Sequence, residues 1–511
     1  MNPLCLLFLS LLALNNIFRS QENVAHQPRW TYVQRENKRR TRIALINIPE
    51  KYHRQWENFG EITAINIENA TKKISWTEIF PEWIDEEEEN RKPKCPQIAP
   101  PALNSTLLER ETRHYDLVVA KIPCKNGEKN WARDVFRLQI HLITANLLMR
   151  GRKNGRKVSV LLLTECRPML EIFRCNELVE QDRERWLYRV DVKKLAERVS
   201  NLPVGSCELA LKLERETGMV ASLERERGYT RKREAYATVL HSSEDYVCGA
   251  ITLAQSIRAT GSIKDMVVVV DKTISGSSRK GLTEAGWLVL ERERIRNPKA
   301  NSGSYNEWNY TKLRLWQLTQ YEKLVFLDSD LVVLKNIDFL FKLPEMSAIS
   351  NSRTIFNSGL MVIEPSQCMF RVLMREKERV HSYNGGDQGF INEIFTWWHR
   401  IPQKLNFLKL SGSKKGLDLY GIHYLGVKPW KCYRDYDCNW NVIEQRGFAD
   451  DGFHGTWWKV HDSMVPSLQK HCLLSSKDKE RLERERVRAM TLAFNDDGHW
   501  KINITDSRLH L

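Results

Sequence analysis

Two aspartates two residues apart, Asp328 and Asp330, directly follow the short apolar run Leu324 to Leu327. A continuous apolar run of this length is typical of a strand that is buried on both faces. Polar side chains that follow such a strand lie at the carboxyl edge of an open α/β sheet, where ligands bind. Carboxylate oxygens at that edge suit a Mg²⁺ or Mn²⁺ ion that holds a diphosphate. A bare Asp-x-Asp is more often a solvated turn, but apolar residues resume at Leu331, which argues against a loose polar loop.

Four stretches further along the chain have the composition of a ligand site: FNSGL (356–360), NGGDQG (384–389), HYLGVKPW (423–430) and FHGTWWKVHD (453–462). The first two combine amides or a carboxylate with glycines, which suits sugar hydroxyls, although each alone predicts an ordinary turn. The third supplies an imidazole that could complete a metal site with the two aspartates, and a lysine for phosphate. The aromatic side chains of the fourth suit a sugar ring or core packing equally well.

The apolar pattern around these residues predicts strands that alternate with helices. From residue 235 onward we expect a strand at 235–240, a helix at 246–259, strands at 266–270 and 287–290, a helix at 311–321 and a strand at 324–327. This alternation predicts right-handed βαβ units and a parallel sheet. The first strand is not followed by a Gly-x-Gly-x-x-Gly fingerprint, and the chain has no Gly-Lys-Ser/Thr phosphate loop. These two features disfavour dinucleotide binding and ATP hydrolysis.

The part of the chain before this pattern predicts a second α/β unit that carries no catalytic motif. Strands are expected at 42–48, 115–122, 157–163 and 186–192, and a helix at 134–149. An acidic and Pro-rich stretch at about 85–101 predicts a long exposed loop. We interpret this unit as structural or partner-binding. The predicted organisation is an anchor or signal (1–20), a stem (21–41), an N-terminal α/β domain (42–208), a charged helical linker (209–233), a catalytic domain (234–470) and a tail (471–511).

Composition narrows the possible partners and the compartment. The 511 residues carry a net charge of +15, but the basic residues alternate with glutamates, as in LERETG, which is typical of a solvated helix face. Nucleic acid is therefore not an expected partner. The apolar run PLCLLFLSLLAL near the amino terminus predicts a single-pass anchor or, as the alternative, a cleaved signal.

Entry into the secretory pathway fits the cysteine and asparagine patterns. Ten of the eleven cysteines follow the apolar run, an even number that is compatible with disulfides. The short spacing of Cys432 and Cys438 predicts a local disulfide. Glycosylation sequons begin at Asn69, Asn104, Asn309 and Asn503.

Six segments, taken in order, carry a resemblance to a known family: HSSEDYVCGAITLAQSI, NYTKLRLWQL, FLDSDLVVLKNID, FNSGLMV, NGGDQGFIN and HYLGVKPW. From about residue 235 to 462 the chain resembles glycosyltransferase family 8, the family of glycogenin and the galactinol synthases. The extra N-terminal domain and the form NGGDQGFINEIFTWWHRIP resemble the plant glycogenin-like starch initiation branch. That branch includes the UDP-glucuronate:xylan α-glucuronosyltransferases.

The resemblance implies a GT-A fold, that is, a Rossmann-like nucleotide-diphospho-sugar transferase, together with Mn²⁺ and retention of the α-configuration. The implied metal ligands are Asp328, Asp330 and His423, and the implied catalytic residues are Lys312, Asp387 and Gln388. The implied substrate-binding residues are Tyr246, Asp328, Ser329, Asp330, Asn357, Ser358, Gly359, Asn384, Gly385, Gly386, Asp387, Gln388, His423, Tyr424, Leu425, Gly426, Val427 and Lys428.

Two departures from glycogenin bear on the substrate. Asn384 stands where glycogenin-like enzymes have aspartate, and one negative charge fewer there would better tolerate a carboxylated sugar such as glucuronate. One residue fewer separates His423 from Lys428, which changes how the lysine reaches the phosphate. No tyrosine is identifiable as a self-glucosylation acceptor, which disfavours a priming role.

The expected function is transfer of glucuronate from UDP-glucuronate to xylan by a single-pass type II protein of the Golgi membrane with a lumenal catalytic domain. The alternatives are a family member that uses UDP-glucose or UDP-galactose, and a non-catalytic carbohydrate-binding protein of the secretory pathway. Retention leaves two roles open for Asp387, a nucleophile that forms a covalent intermediate or a group that positions the donor sugar.

Overall fold

The computed structural model describes residues 41–67, 75–79, 114–124, 131–149, 157–200, 233–412, 416, 418–492 and 498–510. The predicted anchor, almost all of the stem, the charged linker up to residue 232 and the Pro-rich loop lie outside the described residues. Within the described part of the chain, no helix combines the length and the apolar character needed to cross a membrane.

The N-terminal sheet has six strands in the order β2-β1-β3-β4-β6-β5. Strands β2, β1, β3 and β4 are parallel to one another. Strand β6 pairs antiparallel with β4, and β5 pairs antiparallel with β6. The predicted strands and the predicted helix of this region are confirmed, and β2 was missed because its alternating polar residues gave no apolar run. The elements are β1 Thr41–Ile46, α1 His53–Glu57, β2 Gly60–Ile65, β3 Leu117–Lys121, α2 Val135–Met149, β4 Lys157–Leu163, β5 Leu178–Gln181, β6 Arg185–Asp191 and α3 Val192–Ser200.

The second sheet has seven strands in the order β14-β12-β13-β10-β7-β8-β9, and a three-stranded sheet, β11-β16-β15, lies beside it. Strands β9, β8, β7 and β10 run parallel, as predicted, and β13 pairs antiparallel with β10. The elements are β7 Glu234–Leu240, α4 Val247–Ala259, β8 Asp265–Val270, α5 Gly276–Glu284, β9 Leu288–Glu291, β10 Lys323–Leu327, β11 Leu331–Val333, β12 Ser347–Ser352, β13 Ile355–Ile363, α6 Gln367–Glu376, α7 Asp387–Ile394, β14 His399–Ile401, β15 Phe407–Leu408, β16 Gly421–His423, α8 Asp451–Asp462, α9 Pro466–Gln469 and α10 Ser476–Thr491.

Two local predictions in the catalytic region were wrong. The segment predicted as a helix at 311–321 is a 3₁₀ helix, Asn309–Gln317, and most of its side chains are buried, so packing rather than one apolar stripe sets its path. Asn357 to Gly359 lie inside strand β13 and not in a turn, because the strand pairs with both β10 and β12. The asparagine of the Asn309 sequon is buried and its amide donates to Asn306, so its nitrogen is not presented to solvent.

The aromatic stretch near the end of the catalytic region forms helix α8. Trp457 and Trp458 are buried and pack against each other, and Trp457 also packs against Trp430. Of the two roles that the sequence left open, core packing is therefore the one that the structure shows.

The N-terminal sheet packs against the second sheet through a continuous cluster of buried apolar residues and several ion pairs. Arg133 donates to Glu393 at 2.6 Å, and Arg174 pairs with Glu345 and, at 3.5 Å, with Glu364. Glu345 also accepts from the indole of Trp316 at 3.1 Å. Because Glu345 is buried, Arg174 and Trp316 must supply the hydrogen bonds that water would otherwise make to it. The interface therefore depends on these polar pairs as well as on apolar packing.

Candidate active site

The pairing of short strands brings His423 to the two aspartates. Asp328 directly follows β10, and its backbone N–H donates to Gly359 O at 2.8 Å. Strand β11 pairs antiparallel with β16, so that Leu331 lies opposite His423, and the Tyr424 N–H donates to Asp330 O at 3.0 Å. One ligand atom from each of Asp328, Asp330 and His423 lies within 4.8 Å of the other two. The fold thus assembles a possible metal site from residues more than 90 positions apart.

The hydrogen bonds of His423 suit a metal ion. The amide nitrogen of Asn406 donates to Asn357 at 3.1 Å, so the Asn406 oxygen faces His423 Nδ1 at 3.0 Å. In the neutral ring this contact places the proton on Nδ1 and leaves a lone pair on Nε2. His423 Nε2 lies 3.2 Å from Asp330 Oδ1. Because this nitrogen and this oxygen are both acceptors, a proton or a cation must lie between them. Two carboxylates and an imidazole therefore fit a divalent ion.

The two aspartates have different electrostatic surroundings. Burial raises the pKa of Asp328, and the nearby charge of Asp330 acts in the same direction. Burial also opposes ionisation of Asp330, but Lys428 and His423 outweigh it, and they lower the pKa of Asp330. Lys428 Nζ lies 2.6 Å from Asp330 Oδ2. Asp330 is therefore held as a carboxylate, which is the form that binds a cation.

Lys312 is a buried cation between two carboxylates. Its Nζ lies 2.6 Å from Asp387 Oδ2 and 3.3 Å from Asp328 Oδ1. Burial opposes the charge, but the two carboxylates overcome it and raise the pKa of Lys312. Ser358 donates to the same Asp387 oxygen at 3.2 Å. Lys312 thus joins the predicted metal ligands to the predicted sugar subsite and stays charged at neutral pH.

The loop before helix α7 is folded around the side chain of Asn384. The Asn384 Oδ1 atom accepts from the backbone N–H groups of Gly386 and Gly389, each at 3.0 Å, and from Ser382 at 2.9 Å. Gly385 has φ +69°, which a glycine adopts without strain. These contacts give Asn384 a structural role in the loop besides any influence on the donor sugar.

Gln388 and Asn357 connect this loop to strand β13. Gln388 Oε1 accepts from the Ser358 N–H at 3.2 Å, and its amide donates to Tyr383 at 2.8 Å. Asn357 Oδ1 accepts from the Gly359 N–H at 2.8 Å. A Cβ atom at Gly359 would lie 2.6 Å from the His423 ring, so only glycine fits there. The structure therefore brings the predicted sugar and metal residues into one site.

The segment after His423 is held in place by several contacts within the fold. Tyr424 is buried and its hydroxyl donates to Phe453 O, so only its backbone, which accepts from Lys428 at 2.6 Å, faces the site. Gly426 has φ +72°, and a Cβ atom there would collide with Asn439. The Val427 N–H donates to Asn439, and Leu425 is partly exposed.

Tyr246 and Ser329 complete the predicted set. The Tyr246 ring packs edge-on against Trp430, with 5.9 Å between centroids, and Lys428 Nζ lies 6.0 Å from its centre. Ser329 is buried between the two aspartates, and a Cβ atom at Gly249 would lie 2.4 Å from its carbonyl oxygen.

Sequence reasoning missed several residues of the site. Asn406 lies in the unremarkable stretch KLNFLK, and only the pairing of β15 with β16 brings it to His423. Ser242 has φ +70° just after β7, and its N–H donates to Asp271 at 3.1 Å. A left-handed non-glycine residue at the carboxyl edge of a sheet is a feature of functional sites that the sequence does not reveal.

A second group of possible metal ligands, Cys432, Asp437 and His454, occurs among the described residues. Cys432 forms a disulfide with Cys438, as the sequence predicted, and Asp437 pairs with the fully buried Lys409. These partners already use the ligand atoms, so we do not interpret the group as a metal site.

Sheet order and site together define a GT-A glycosyltransferase catalytic domain preceded by an N-terminal α/β region, as predicted. The profile described as glycosyl transferase family 8 matches residues 237–433, and the profile described as the GUX1-5 N-terminal domain matches residues 15–207. UDP-glucuronate:xylan alpha-glucuronosyltransferase 2 of Arabidopsis thaliana is 48% identical over 92% of this chain and 81% of its own length. UDP-glucuronate:xylan alpha-glucuronosyltransferase 1 of the same plant is 46% identical over 92% of this chain and 72% of its own length.

The chain therefore belongs to glycosyl transferase family 8, within the group of the UDP-glucuronate:xylan alpha-glucuronosyltransferases. The resemblance stated from the sequence motifs is confirmed. Among solved structures, the galactosyltransferase LgtC is 14% identical, with a TM-score of 0.33 over 46% of this chain and all of LgtC. A similarity of that size carries no argument about the site.

Proposed function

We propose that the protein transfers glucuronate from UDP-glucuronate to xylan as α-linked side chains. The observation that carries the proposal is the similarity to a protein of that printed activity over 92% of the chain. The site supports it, because the charged side chains that the family resemblance implies lie together. Lys312, Asp328 and Asp387 form one chain of contacts, and Lys428, Asp330 and His423 form another.

The proposed cofactor is Mn²⁺, held by Asp328, Asp330 and His423. A divalent ion at this position supplies Lewis-acid stabilisation to the diphosphate leaving group. Lys428 lies beside Asp330 and adds positive charge where the departing UDP gains negative charge. Lys312, which is held by its two carboxylate partners, adds positive charge to the same site.

We propose that Asp387 positions the donor sugar for attack by the acceptor. Lys312 and Ser358 both contact its Oδ2 atom, and an ion-paired carboxylate is a weaker nucleophile than a free one. Same-face attack on an oxocarbenium-like sugar then accounts for retention. A glycosyl adduct trapped on Asp387 would instead assign it the role of nucleophile.

We further propose a single-pass type II Golgi protein with an anchor at 1–20, a stem at 21–41, an N-terminal domain at 42–208, a linker at 209–233, a catalytic domain at 234–470 and a tail at 471–511. The apolar amino-terminal run supports the anchor. The end of one matching profile at residue 207 and the start of the other at residue 237 support the boundary between the N-terminal and catalytic domains.

A panel of UDP-sugars assayed with xylo-oligosaccharides and Mn²⁺ tests the function. We expect UDP-glucuronate to give a product with an α-linked glucuronosyl group, identified by NMR, and UDP-glucose and UDP-galactose to react at least about tenfold more slowly. Preference for a neutral sugar, or glucuronate transfer only to acceptors other than xylan chains, would overturn the proposal.

A further inference from the structure

Two tyrosines with exposed rings stand at the rim of the site. Tyr305 is 84% exposed and Tyr383 is 44% exposed. The side chain of Asn306, the residue after Tyr305, lies beside Gly385 and Gly386 in the loop that leads to Asp387. The Tyr383 hydroxyl accepts from Gln388, beside the proposed sugar subsite. Large aromatic rings in open solvent lose the free energy of burial, so their exposure at a functional site indicates a ligand that covers them.

The loops that carry these tyrosines are joined to each other. Asn297 Nδ2 donates to Gly385 O at 2.9 Å, and Lys299 Nζ donates to Val380 O at 3.0 Å. The first loop is also fixed to the segment of Lys312, because the Ile295 N–H donates to Thr311 Oγ1 at 3.1 Å. The two rings therefore belong to one continuous rim, whose position relative to the catalytic groups is set by the fold.

The chemistry of a retaining transfer places the acceptor at this rim. An acceptor that attacks on the face of the leaving group must enter between the diphosphate and the donor sugar. Tyr305 and Tyr383 thus flank the loop that leads to Asp387, and Tyr383 contacts Gln388 directly. The rim therefore borders the proposed sugar subsite.

We propose that Tyr305 and Tyr383 form the binding platform for the acceptor, a chain of pyranose sugars whose rings stack on the tyrosines. A xylose unit carries no hydroxymethyl group on its ring, so both of its faces present C–H groups to an aromatic plane. This inference rests on the proposed function and adds the residues that select and hold the acceptor.

The platform is tested by kinetics of the full-length chain with UDP-glucuronate and xylohexaose. Tyr305→Ala and Tyr383→Ala are expected to raise the KM for xylohexaose at least about fivefold. The KM for UDP-glucuronate and the rate of its hydrolysis without acceptor should stay within about twofold. Tyr305→Phe and Tyr383→Phe keep the ring and should keep the acceptor KM. Ile263→Ala, which removes a side chain as exposed as Tyr305, is the control.

An unchanged acceptor KM in both alanine variants, or an equal rise in the donor KM, would overturn the platform, the latter by assigning the rings to the nucleotide. These results differ from a failure of the proposed function, in which the wild-type chain itself would not act on any xylo-oligosaccharide.

A second inference rests on the two free cysteines among the described residues, Cys175 and Cys368. Cys175 lies in the N-terminal region, in a single 3₁₀ turn, and Cys368 lies in the first turn of helix α6. The turn of Cys175 packs directly against helix α6, beside the ion pair of Arg174 with Glu345, and this packing brings the two cysteines close to each other. Three other cysteine pairs in the described part of the chain form disulfides: Cys124–Cys166, Cys248–Cys472 and Cys432–Cys438.

We infer that Cys175 and Cys368 form a disulfide that links the N-terminal region covalently to the catalytic region. The oxidant is a protein disulfide carrier of the secretory compartment. One cysteine thiolate attacks the carrier disulfide, the second attacks the mixed disulfide, and the carrier leaves as a dithiol with both protons. Two thiols and one carrier disulfide thus give one protein disulfide and one reduced carrier.

Peptide mapping of the full-length chain, expressed in eukaryotic cells so that it enters the secretory compartment and digested without reduction, tests the cross-link. We expect a linked peptide that contains Cys175 and Cys368 and disappears on reduction, with the Cys248–Cys472 peptide as the internal positive control. Alkylation of both cysteines as free thiols in protein that contains the control peptide would overturn the inference, and so would pairing of either one with another cysteine.

Discussion

The two large sheets of the molecule share a design but differ at their carboxyl edges. Each contains four consecutive parallel strands followed by antiparallel ones. At the edge of the N-terminal sheet, Cys124 and Cys166, which follow β3 and β4, form a disulfide. At the edge of the second sheet, Asp328 and Asp330 follow β10, and a small third sheet adds His423.

This difference shows that the α/β architecture alone does not make a site. The carboxyl edge of the N-terminal sheet is closed by a covalent link, whereas that of the second sheet holds charged side chains that face one another. Among the described residues, both groups that could hold a metal lie in the catalytic region. The N-terminal sheet contacts the catalytic region through buried apolar residues and ion pairs, and the predictions below test both halves of this comparison.

Asp330→Ala should have the largest effect, because it removes a metal ligand and the partner of Lys428. We expect glucuronosyl transfer to fall at least about 1,000-fold, a loss of about 4 kcal/mol of transition-state stabilisation. The measurement is UDP release with xylohexaose over a Mn²⁺ titration. Asp418→Ala, which removes a carboxylate that is 77% exposed, should retain normal activity. Activity within tenfold of the wild type in Asp330→Ala would mean that the carboxyl edge is not the site.

Arg174→Ala should test the structural role of the N-terminal sheet. It leaves the buried Glu345 without its cation, and removing one partner of a buried pair costs about 3 kcal/mol of unfolding free energy. Urea unfolding followed by tryptophan fluorescence measures the loss. Arg185→Ala breaks a more exposed pair with Asp182 in the same region and should cost less than about 1 kcal/mol. Equal losses in the two variants would show that the interface does not support the fold.

Asn384→Asp should change the choice of donor without disturbing the loop. The aspartate oxygen can accept from the Gly386 and Gly389 N–H groups as the amide oxygen does, so the substitution adds only a charge. We expect the preference for UDP-glucuronate over UDP-glucose to fall a few-fold, on the order of 1 kcal/mol. Asn336→Asp, at another asparagine that accepts a backbone N–H, is the control. An unchanged ratio of donor affinities would remove Asn384 from donor selection.

The pH dependence of stability should be carried in part by His141 of the N-terminal region. Burial lowers the pKa of His141, whose Nδ1 contacts Arg137 O while Nε2 accepts from the Met169 N–H. The unfolded chain therefore binds a proton that the folded chain does not. Below about pH 6.5 stability should fall by up to about 1.4 kcal/mol per pH unit from this group.

The same urea unfolding repeated from pH 7.5 to pH 5 measures that slope. It should be shallower in His141→Gln than in the wild type, and unchanged in His381→Gln, which removes an exposed histidine. Identical slopes in His141→Gln and the wild type would contradict the assignment.

The parallel strands other than β2 were predictable because each contains a continuous apolar run, as in MVVVV at β8 and LVFL at β10. Helix α4 was also predictable from its apolar residues, which extend over a long segment that precedes strand β8. The resemblance of the ordered motifs to the family supplied His423, Lys312 and Asp387, whose roles no local pattern could assign.

What the sequence could not give depends on contacts between distant segments. Asn406 orients His423 only because β15 and β16 are neighbours, and Glu345 meets Arg174 only because the two sheets pack together. The path of Asn309–Gln317 follows from burial on most sides, which local propensity does not encode. The sequence predicted that Gly359 lies in a turn. In the structure, glycine is required there because a side chain would collide with the His423 ring.

Binding of UDP to the wild-type chain and to Asp330→Ala, each with and without Mn²⁺, tests the central claim most directly. Isothermal titration calorimetry should show that Mn²⁺ strengthens UDP binding to the wild type at least about tenfold and has no such effect in Asp330→Ala. Equal UDP affinity with and without Mn²⁺ in the wild type, or an undiminished effect of Mn²⁺ in the variant, would contradict the assignment of Asp328, Asp330 and His423 as a metal site for a nucleotide sugar.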